Sequence, residues 1–522
     1  MSKTTDIAKV STRGGFHVFW GVTLSTLISS VGTIFINNLL GPDNVGLYTI
    51  AIGAPALFAT FRDWGLNTAM IRYTAQYNSE NNIAKVRSIF IAGLIFELAL
   101  GLALSIISIA LAGPLATAYN RPEIVQLIQI ASIFILSSAM ITTASAAFTG
   151  MEKLHLNSIM LIIQAIAKTG LIIALVFFGL GTLGATVGFT AATLVAGITG
   201  VLLMYTLYSS LHKPPNSKLA IGGTIKALLK YGLPISIGAI LTGFLTMFYN
   251  FIMPIFVTDN SAIGNYATAL QFVVLISFFA TPVITMVFPA FSKLDYRQNP
   301  QDLKNIFQYS VKYATLIVVP VTVLVMSLAE PAINTVYRGF LQAPFYLMLL
   351  SISYLFTALG SLSLNHLIIS QGDTKYTLKL AILQAAIGFP LSFVLVSQFG
   401  IIGLIANTTI VVLPGLFLSL GFIKKRYGAS IDWKASAKIT FSAAVTGILT
   451  YLLVTWLPFI SPIRLAIGVV VFVVVFVLIA CLTQTITRAD LGNIQTSAEG
   501  LGPLRKPIQG IIGIIEKLMP KP

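Results

Sequence analysis

The chain has 522 residues, of which 56% are hydrophobic and only 9% charged, with a mean hydropathy of +0.90. Soluble domains carry about a quarter charged residues, so the composition excludes a soluble globular protein and predicts an all-α polytopic membrane protein. The net charge of +16 does not imply nucleic acid, because Lys and Arg sit in short loops on alternate sides of successive apolar runs, the pattern that orients membrane proteins.

A crossing helix needs about 20 mostly apolar residues. That rule predicts fourteen, at 16–40, 46–70, 84–113, 122–148, 154–178, 182–210, 231–257, 262–291, 303–329, 343–369, 376–398, 401–423, 435–457 and 462–487. The segments lack the alternation of barrel strands, and backbone in lipid must satisfy its own hydrogen bonds, so all are read as helices. The basic N-terminus precedes an apolar run too long for a signal-peptide core, which predicts an uncleaved first span. With that terminus in the cytoplasm, 27 of the 32 Lys and Arg residues fall at cytoplasmic loops and tails, Lys424, Lys425 and Arg426 being the densest group. Arg121, Arg338 and Arg464 fall outside, and Arg62 and Lys168 lie within the membrane. This arrangement also returns the C-terminus to the cytoplasm.

The longest loop contains KPPNSK and reads as a linker. The predicted organisation is an N-terminal lobe at 1–210, a linker at 211–230 and a C-terminal lobe at 231–423. Accessory spans at 424–487 and a cytoplasmic tail at 488–522 follow. In the tail, Ile508, Ile511, Ile512, Ile515 and Leu518 recur at helical spacing, which predicts an interfacial amphipathic helix. The two lobes read as a repeat. Val45-Gly46-Leu47-Tyr48 matches Ile263-Gly264-Asn265-Tyr266, Gly150 matches Gly372, and Gly181 with Gly184 matches Gly400 with Gly403. The offsets are 218, 222 and 219 residues. Six spans per lobe would give both lobes the same orientation, as in transporters with parallel repeats.

Cys481 is the single cysteine and the four His are scattered. No metal-ligand spacing, phosphate-binding loop or nucleophile motif is present, and neither a catalytic residue nor a cofactor is expected. The informative residues are the deep charges, because a charge in hydrocarbon costs at least about 2.5–3.5 kcal/mol and is rarely left without a partner or a watery cavity. Arg62, Asp63, Glu97 and Lys168 all belong to the first lobe. At an offset of 218, Arg62 and Asp63 fall on Ala280 and Thr281. The second lobe offers polar groups such as Asn250, Gln271 and Gln384 in their place. Pro55, Pro234, Pro254, Pro282, Pro289, Pro320, Pro390 and Pro414 lie inside spans and are expected to bend them.

A first span ending Leu40-Gly41-Pro42, then Gly46-Leu47-Tyr48, Asp63-Trp64-Gly65-Leu66 and Arg72, resembles polysaccharide flippases of the multidrug/oligosaccharidyl-lipid/polysaccharide exporter superfamily. The resemblance implies two six-helix lobes with an extra C-terminal pair. It also implies translocation of an oligosaccharide joined through phosphate or pyrophosphate to a polyprenyl lipid, driven by an ion gradient. The expected partners are that lipid-linked substrate, membrane lipids and glycan-assembly enzymes of the same pathway, at the plasma membrane.

In that setting Arg62 and Lys168 are expected to attract the phosphates, since a guanidinium can donate two parallel hydrogen bonds to phosphate oxygens. Asp63 and Asn67 complete the expected substrate-binding set, with Asp63 orienting Arg62. Glu97 is the candidate proton or sodium site. The structural alternatives are a salt bridge or snorkelling for Arg62 and a Lys168–Glu97 pair. The rival functions are a multidrug or cation antiporter of the same superfamily and a membrane glycan polymerase or glycosyltransferase. The first would favour an acidic cavity, and the second a large extramembrane domain.

Overall fold

A computed structural model of the chain describes residues 3–211 and 220–485, with side chains from residue 20 onward except at 235, 239 and 282–290. Lys213 and Lys218 of the linker and the tail helix expected around Ile508–Leu518 lie outside the described residues. Two compact units divide the chain. One draws on Met1–Ala267 and Phe389–Leu404, the other on Thr268–Gly388 and Ile405–Pro522.

The first unit contains α1 (Lys3–Thr60), α2 (Leu66–Ser79), α3 (Ile83–Ala110), α4 (Ala112–Ala118), α5 (Val125–Gly150), α6 (Leu154–Leu175), α7 (Gly181–Ser210) and α8 (Ile221–Phe256). It also takes the start of α9 (Asn260–Ser292). The second unit holds the rest of α9, then α10 (Pro300–Ser327), α11 (Ala329–Val336), α12 (Ala343–Leu355) and α13 (Ser361–Ser370). It continues with the ends of α14 (Thr374–Ile410), then α15 (Val412–Tyr427), α16 (Trp433–Trp456) and α17 (Ser461–Leu482). The described residues contain no strand.

Among the described residues, ten helices are long and apolar enough to cross a membrane, or eleven if Ala343–Leu359 and Ser361–Ser370, bent by 53°, form one span. This is a multi-pass membrane protein. Fourteen separate helices were expected from hydropathy. The difference arises where neighbouring segments run together, in Trp20–Thr60, Leu154–Ser210 and Thr374–Tyr427, which are 41, 57 and 54 residues long. Each contains a glycine whose backbone leaves the helix. Gly41 has φ 72°, Gly179 φ 87° and Gly400 φ 56°. A residue with a Cβ enters that region only at a cost, so glycine is where a helix turns without a loop. The prolines expected to bend the spans do not mark these breaks; Pro55, Pro234, Pro254, Pro320 and Pro390 lie within continuous helix.

The proposed repeat has backbone counterparts. Gly181 (φ 49°, ψ −130°) and Gly400 (φ 56°, ψ −130°) adopt nearly the same conformation. The other turn is better registered two residues away from the sequence match. Left-handed Glu152 (φ 58°) and Gly372 (φ 84°) precede the helix caps Lys153 and Asp373, an offset of 220. Within the first unit, Gly46 lies against the carbonyl of Asn260 and Gly264 against the carbonyl of Pro42. Pro42 and Asn260 are themselves 218 residues apart, so α1 and α9 touch reciprocally through equivalent residues, as two copies do across a twofold axis. A Cβ at either glycine would overlap the facing carbonyl. Small residues at such crossings are how membrane helices approach closely.

The core that positions the first unit's deep charges is built on α2. Leu66, Ala69 and Met70 are fully buried and pack with Ile89 of α3, Ala146 of α5 and Leu228 of α8. In the second unit, Phe291, Leu303, Phe307, Val311 and Leu367 form a core around α10 and α13. Its charged side chains lie nearer the surface. Asp373 accepts from Tyr427 Oη at 2.5 Å and Arg426 Nε at 3.3 Å, and Arg464 pairs with Glu330 at 3.1 Å. Gln271 accepts from Tyr337 Oη at 3.2 Å.

Candidate functional site

The first unit's site forms where hydropathy reads an unbroken span. The helix ends at Thr60 and restarts at Leu66, so Arg62 and Asp63 sit in a five-residue break and not on a helix face. Gly65 makes the break, with φ 78° and its Cα surface pressed on the backbone of Gly232 in α8. Asp63 Oδ1 accepts the Gly65 N–H at 2.9 Å, a local turn that Asp side chains favour. This corrects the expectation that Asp63 orients Arg62.

The orienting carboxylate is Glu97 on α3. It is fully buried, and Arg62, 5% exposed, donates Nη1 to its Oε2. The same Nη1 reaches Thr142 Oγ1 on α5 at 2.9 Å, and Asn67 Nδ2 donates to Glu97 Oε1 at 3.0 Å. Both oxygens of Glu97 are therefore engaged, by a cation and an amide from opposite sides of the helix break. The pair holds α2, α3 and α5 together. Breaking such a buried pair typically costs 3–5 kcal/mol, because the remaining charge is stranded.

Lys168 is elsewhere. It lies on α6, partly exposed, with Nζ 5.7 Å from the centre of the Phe189 ring. Phe189 in turn meets Tyr48 edge-on at 6.3 Å and Phe134 at 5.4 Å. Among the described residues no carboxylate pairs with Lys168, and the Lys168–Glu97 pair weighed from sequence is replaced by Arg62–Glu97. Lys168 is eleven residues beyond Asn157 on the same helix, roughly 16 Å along its axis at about 1.5 Å per residue. The five expected site residues thus form a cluster of four around the α2 break and one separate cation.

Beside the cluster is a cleft of about 350 Å³ between α2, α5 and α6, bordered by Asp63, Asn67, Thr142, Ser145 and Asn157 over a floor that includes Ile141 and Met160. Thr142 and Asn157 were not singled out from sequence. A threonine and an asparagine in apolar spans carry no signal of which neighbour they face.

Arg121 was read only as an outer-loop charge, yet it is 3% exposed. Its Nε donates to Asn260 Oδ1 at 2.6 Å, and its Nη groups donate to the carbonyls of Tyr119, Pro254, Val257 and Thr258 at 2.8–3.0 Å. Burial pulls this guanidinium below its ordinary value, and Glu123 and Asp259 oppose that. Five donors in a rigid fork satisfy the end of α8 and the entry to α9 at once.

Residues 11–295 match the family described as polysaccharide biosynthesis protein. The chain belongs to this family. The match runs from within α1 to the end of α9 and includes the Arg62–Glu97 cluster, Lys168 and Arg121. An uncharacterized membrane protein of Methanocaldococcus jannaschii is 23% identical over 383 residues, which is 70% of this chain and 74% of that protein. The fold of this family member is shared with the lipid II flippase MurJ in an inward closed conformation, with a TM-score of 0.71 at 15% identity over 90% of this chain and 98% of that one. An inward-facing multidrug resistance MATE family transporter of the MOP superfamily superposes with a TM-score of 0.57 at 17% identity, covering 77% and 95% of the two chains.

Proposed function

We propose that this member of the polysaccharide biosynthesis family is a flippase that carries a polyprenyl phosphate- or pyrophosphate-linked oligosaccharide from the cytoplasmic to the outer leaflet of the plasma membrane by alternating access. In this reading both termini are cytoplasmic, and the three double-length helices and the bent pair bring the crossings to fourteen. The lobes 1–210 and 231–423 rock against one another, the polyprenyl tail stays in the bilayer, and glycan-assembly enzymes supply the substrate. The chain performs no covalent chemistry, and an ion gradient supplies the driving force.

The observation that carries the reading is Lys168. It is a basic side chain inside an apolar helix bundle with an aromatic neighbour and, among the described residues, no carboxylate partner, and such a charge calls for an anionic ligand. The substrate phosphates are that ligand. Arg62 is already neutralised by Glu97, so its part is to register the state of that carboxylate, protonated or ion-bound, and pass it to α2 and α5.

The test is translocation of a fluorescent pyrophosphate-linked oligosaccharide in reconstituted vesicles. Lys168→Gln should lower the rate about tenfold or more, the equivalent of some 1.4 kcal/mol, and Lys168→Arg should restore most of it. An unchanged rate in Lys168→Gln would remove the site. Unchanged transport after collapse of both proton and sodium gradients would remove the role of Glu97. Cationic drugs transported in place of the anionic lipid would favour the antiporter, and elongated glycans in the same vesicles would favour the polymerase.

A further inference from the structure

Outside the site described above, two cations of the first unit are held on a row of tyrosine rings. The Arg72 guanidinium lies 4.2 Å from the centre of the Tyr231 ring and 5.6 Å from that of Tyr73. The Lys85 ammonium lies 4.4 Å from the centre of the Tyr77 ring. Tyr73 joins the two ends, stacked with Tyr77 at 6.0 Å and meeting Tyr231 edge-on at 5.5 Å. The row crosses α2, α3 and α8, with its rings half-buried and both cations exposed. A side chain that only reaches for water needs no ring beneath it, whereas a cation within about 6 Å of a ring centre is attracted to that face.

The protein supplies no anion to this row. Among the described residues no carboxylate pairs with Arg72 or Lys85, and neither side chain donates a hydrogen bond. Glu80, the acidic residue nearest to both in sequence, accepts from Gln76 Nε2 at 2.9 Å. Arg87, two residues beyond Lys85, shows the contrast. It lies 3.8 Å from the Tyr208 ring centre and spends Nη1 on the carbonyls of Tyr208 and Leu211. The equivalent corner of the second unit carries its own carboxylate. Tyr296, 219 residues after Tyr77, has Arg297 and Arg426 at 5.4 and 5.7 Å from its centre, and Arg426 Nε donates to Asp373 at 3.3 Å. In the first unit the counterpart of Asp373 is Lys153, so an acid is replaced there by another base. The row also lies at the edge of the apolar region. Lys85 is the third residue of the apolar helix Ile83–Ala110, and Tyr231 opens the span read at 231–257, the depth at which tyrosine rings meet lipid headgroups.

We infer that the row from Arg72 through Tyr231, Tyr73 and Tyr77 to Lys85 is a docking site for the headgroup of an anionic membrane phospholipid. The guanidinium keeps its face on Tyr231 and donates its edge N–H groups to two phosphate oxygens. Lys85 adds a second positive charge at the same leaflet surface. An open platform with exposed cations suits a ligand whose other side stays among neighbouring lipids, which is the situation of a bulk phospholipid. The site is independent of any transported substrate and of which side of the membrane it faces.

The test uses the purified full chain in detergent, with phosphatidylglycerol or phosphatidylcholine of the same acyl chains added and bound lipid counted by native mass spectrometry. The wild type should bind phosphatidylglycerol in preference. Arg72→Gln and Lys85→Gln should each weaken that binding about fivefold, equivalent to about 1 kcal/mol, and leave phosphatidylcholine binding unchanged. Tyr231→Leu, which keeps both charges and removes the ring that aims Arg72, should weaken it as well. Lys425→Gln, which removes an exposed cation outside the row, should not. Melting temperatures in lipid-free detergent check that each variant folds, and the exposed Lys85→Gln carries the result if Tyr231→Leu does not. The inference is overturned if the wild type binds the two lipids alike, or if any folded row variant binds phosphatidylglycerol as the wild type does. It is also overturned if Lys425→Gln weakens binding as much as the row variants, since overall charge would then be responsible. Loss of an added polyprenyl phosphate with phosphatidylglycerol retained would overturn it too, because the row would then hold the transported lipid. None of these outcomes depends on translocation, so the flippase reading stands or falls separately.

Discussion

Arg62 shows how much a single partner changes the meaning of a charge. In isolation it is a guanidinium deep in a span and a natural phosphate ligand; in the fold, its Nη1 is shared between Glu97 and Thr142. Arg62→Met and Glu97→Met should each destabilise the protein by about 3–5 kcal/mol, because each strands a buried charge, whereas the double substitution should cost less than either. Thermal unfolding of the three variants in detergent checks this, and additive losses would mean the two side chains are not coupled. Arg121 makes the same point at a loop. Arg121→Lys keeps the charge but cannot supply five donors in one plane, and the loss should be about 1.5–3 kcal/mol, the range for hydrogen bonds to a charged group. Neither partner set was legible from sequence. Glu97 is 35 residues from Arg62, and three of the four carbonyls around Arg121 are 133 to 137 residues away. Apolar composition says that such charges need partners without saying which.

At the scale of helices, the breaks follow local backbone chemistry and were largely readable. Leu40-Gly41-Pro42, Gly181 and Gly400 lie where the sequence placed turns, because glycine alone enters those conformations cheaply. Gly181→Ala and Gly400→Ala should each cost about 1–3 kcal/mol of backbone strain. Gly170→Ala is the contrasting case: Gly170 lies in helical backbone with open space at its Cβ position, so alanine there should stabilise by about 0.5–1 kcal/mol. Melting temperatures of the three variants decide the matter, and equal effects would contradict the conformations described. The break at Gly65 was missed. Residues 61–65 lie inside a segment, 46–70, that is apolar enough as a whole to read as one helix, and what interrupts it is the contact of Gly65 with Gly232, 167 residues on. The repeat equivalents Ala280 and Thr281 lie inside continuous α9, so the charged break belongs to one half only.

For the whole molecule, the testable consequence of the charge pattern is its orientation. With Cys481 replaced by Ala, a cysteine at Lys293 should be labelled by an impermeant maleimide only from the cytoplasmic side, and one at Arg338 only from outside. Labelling of both from one side would overturn the span assignment between them. Hydropathy, basic-residue placement and turn glycines by themselves determined that the chain is a bundle of membrane helices with a repeated plan, because each acts through the solvent or the local backbone and leaves a one-dimensional trace. The tertiary structure alone decided that Glu97 neutralises Arg62, that Lys168 stands apart, and that Asp63, Asn67 and Asn157 border a common cleft. Those pairings depend on the rotation and rise of one helix against another, and in spans apolar on nearly every face no periodicity records which side a lone polar residue will meet.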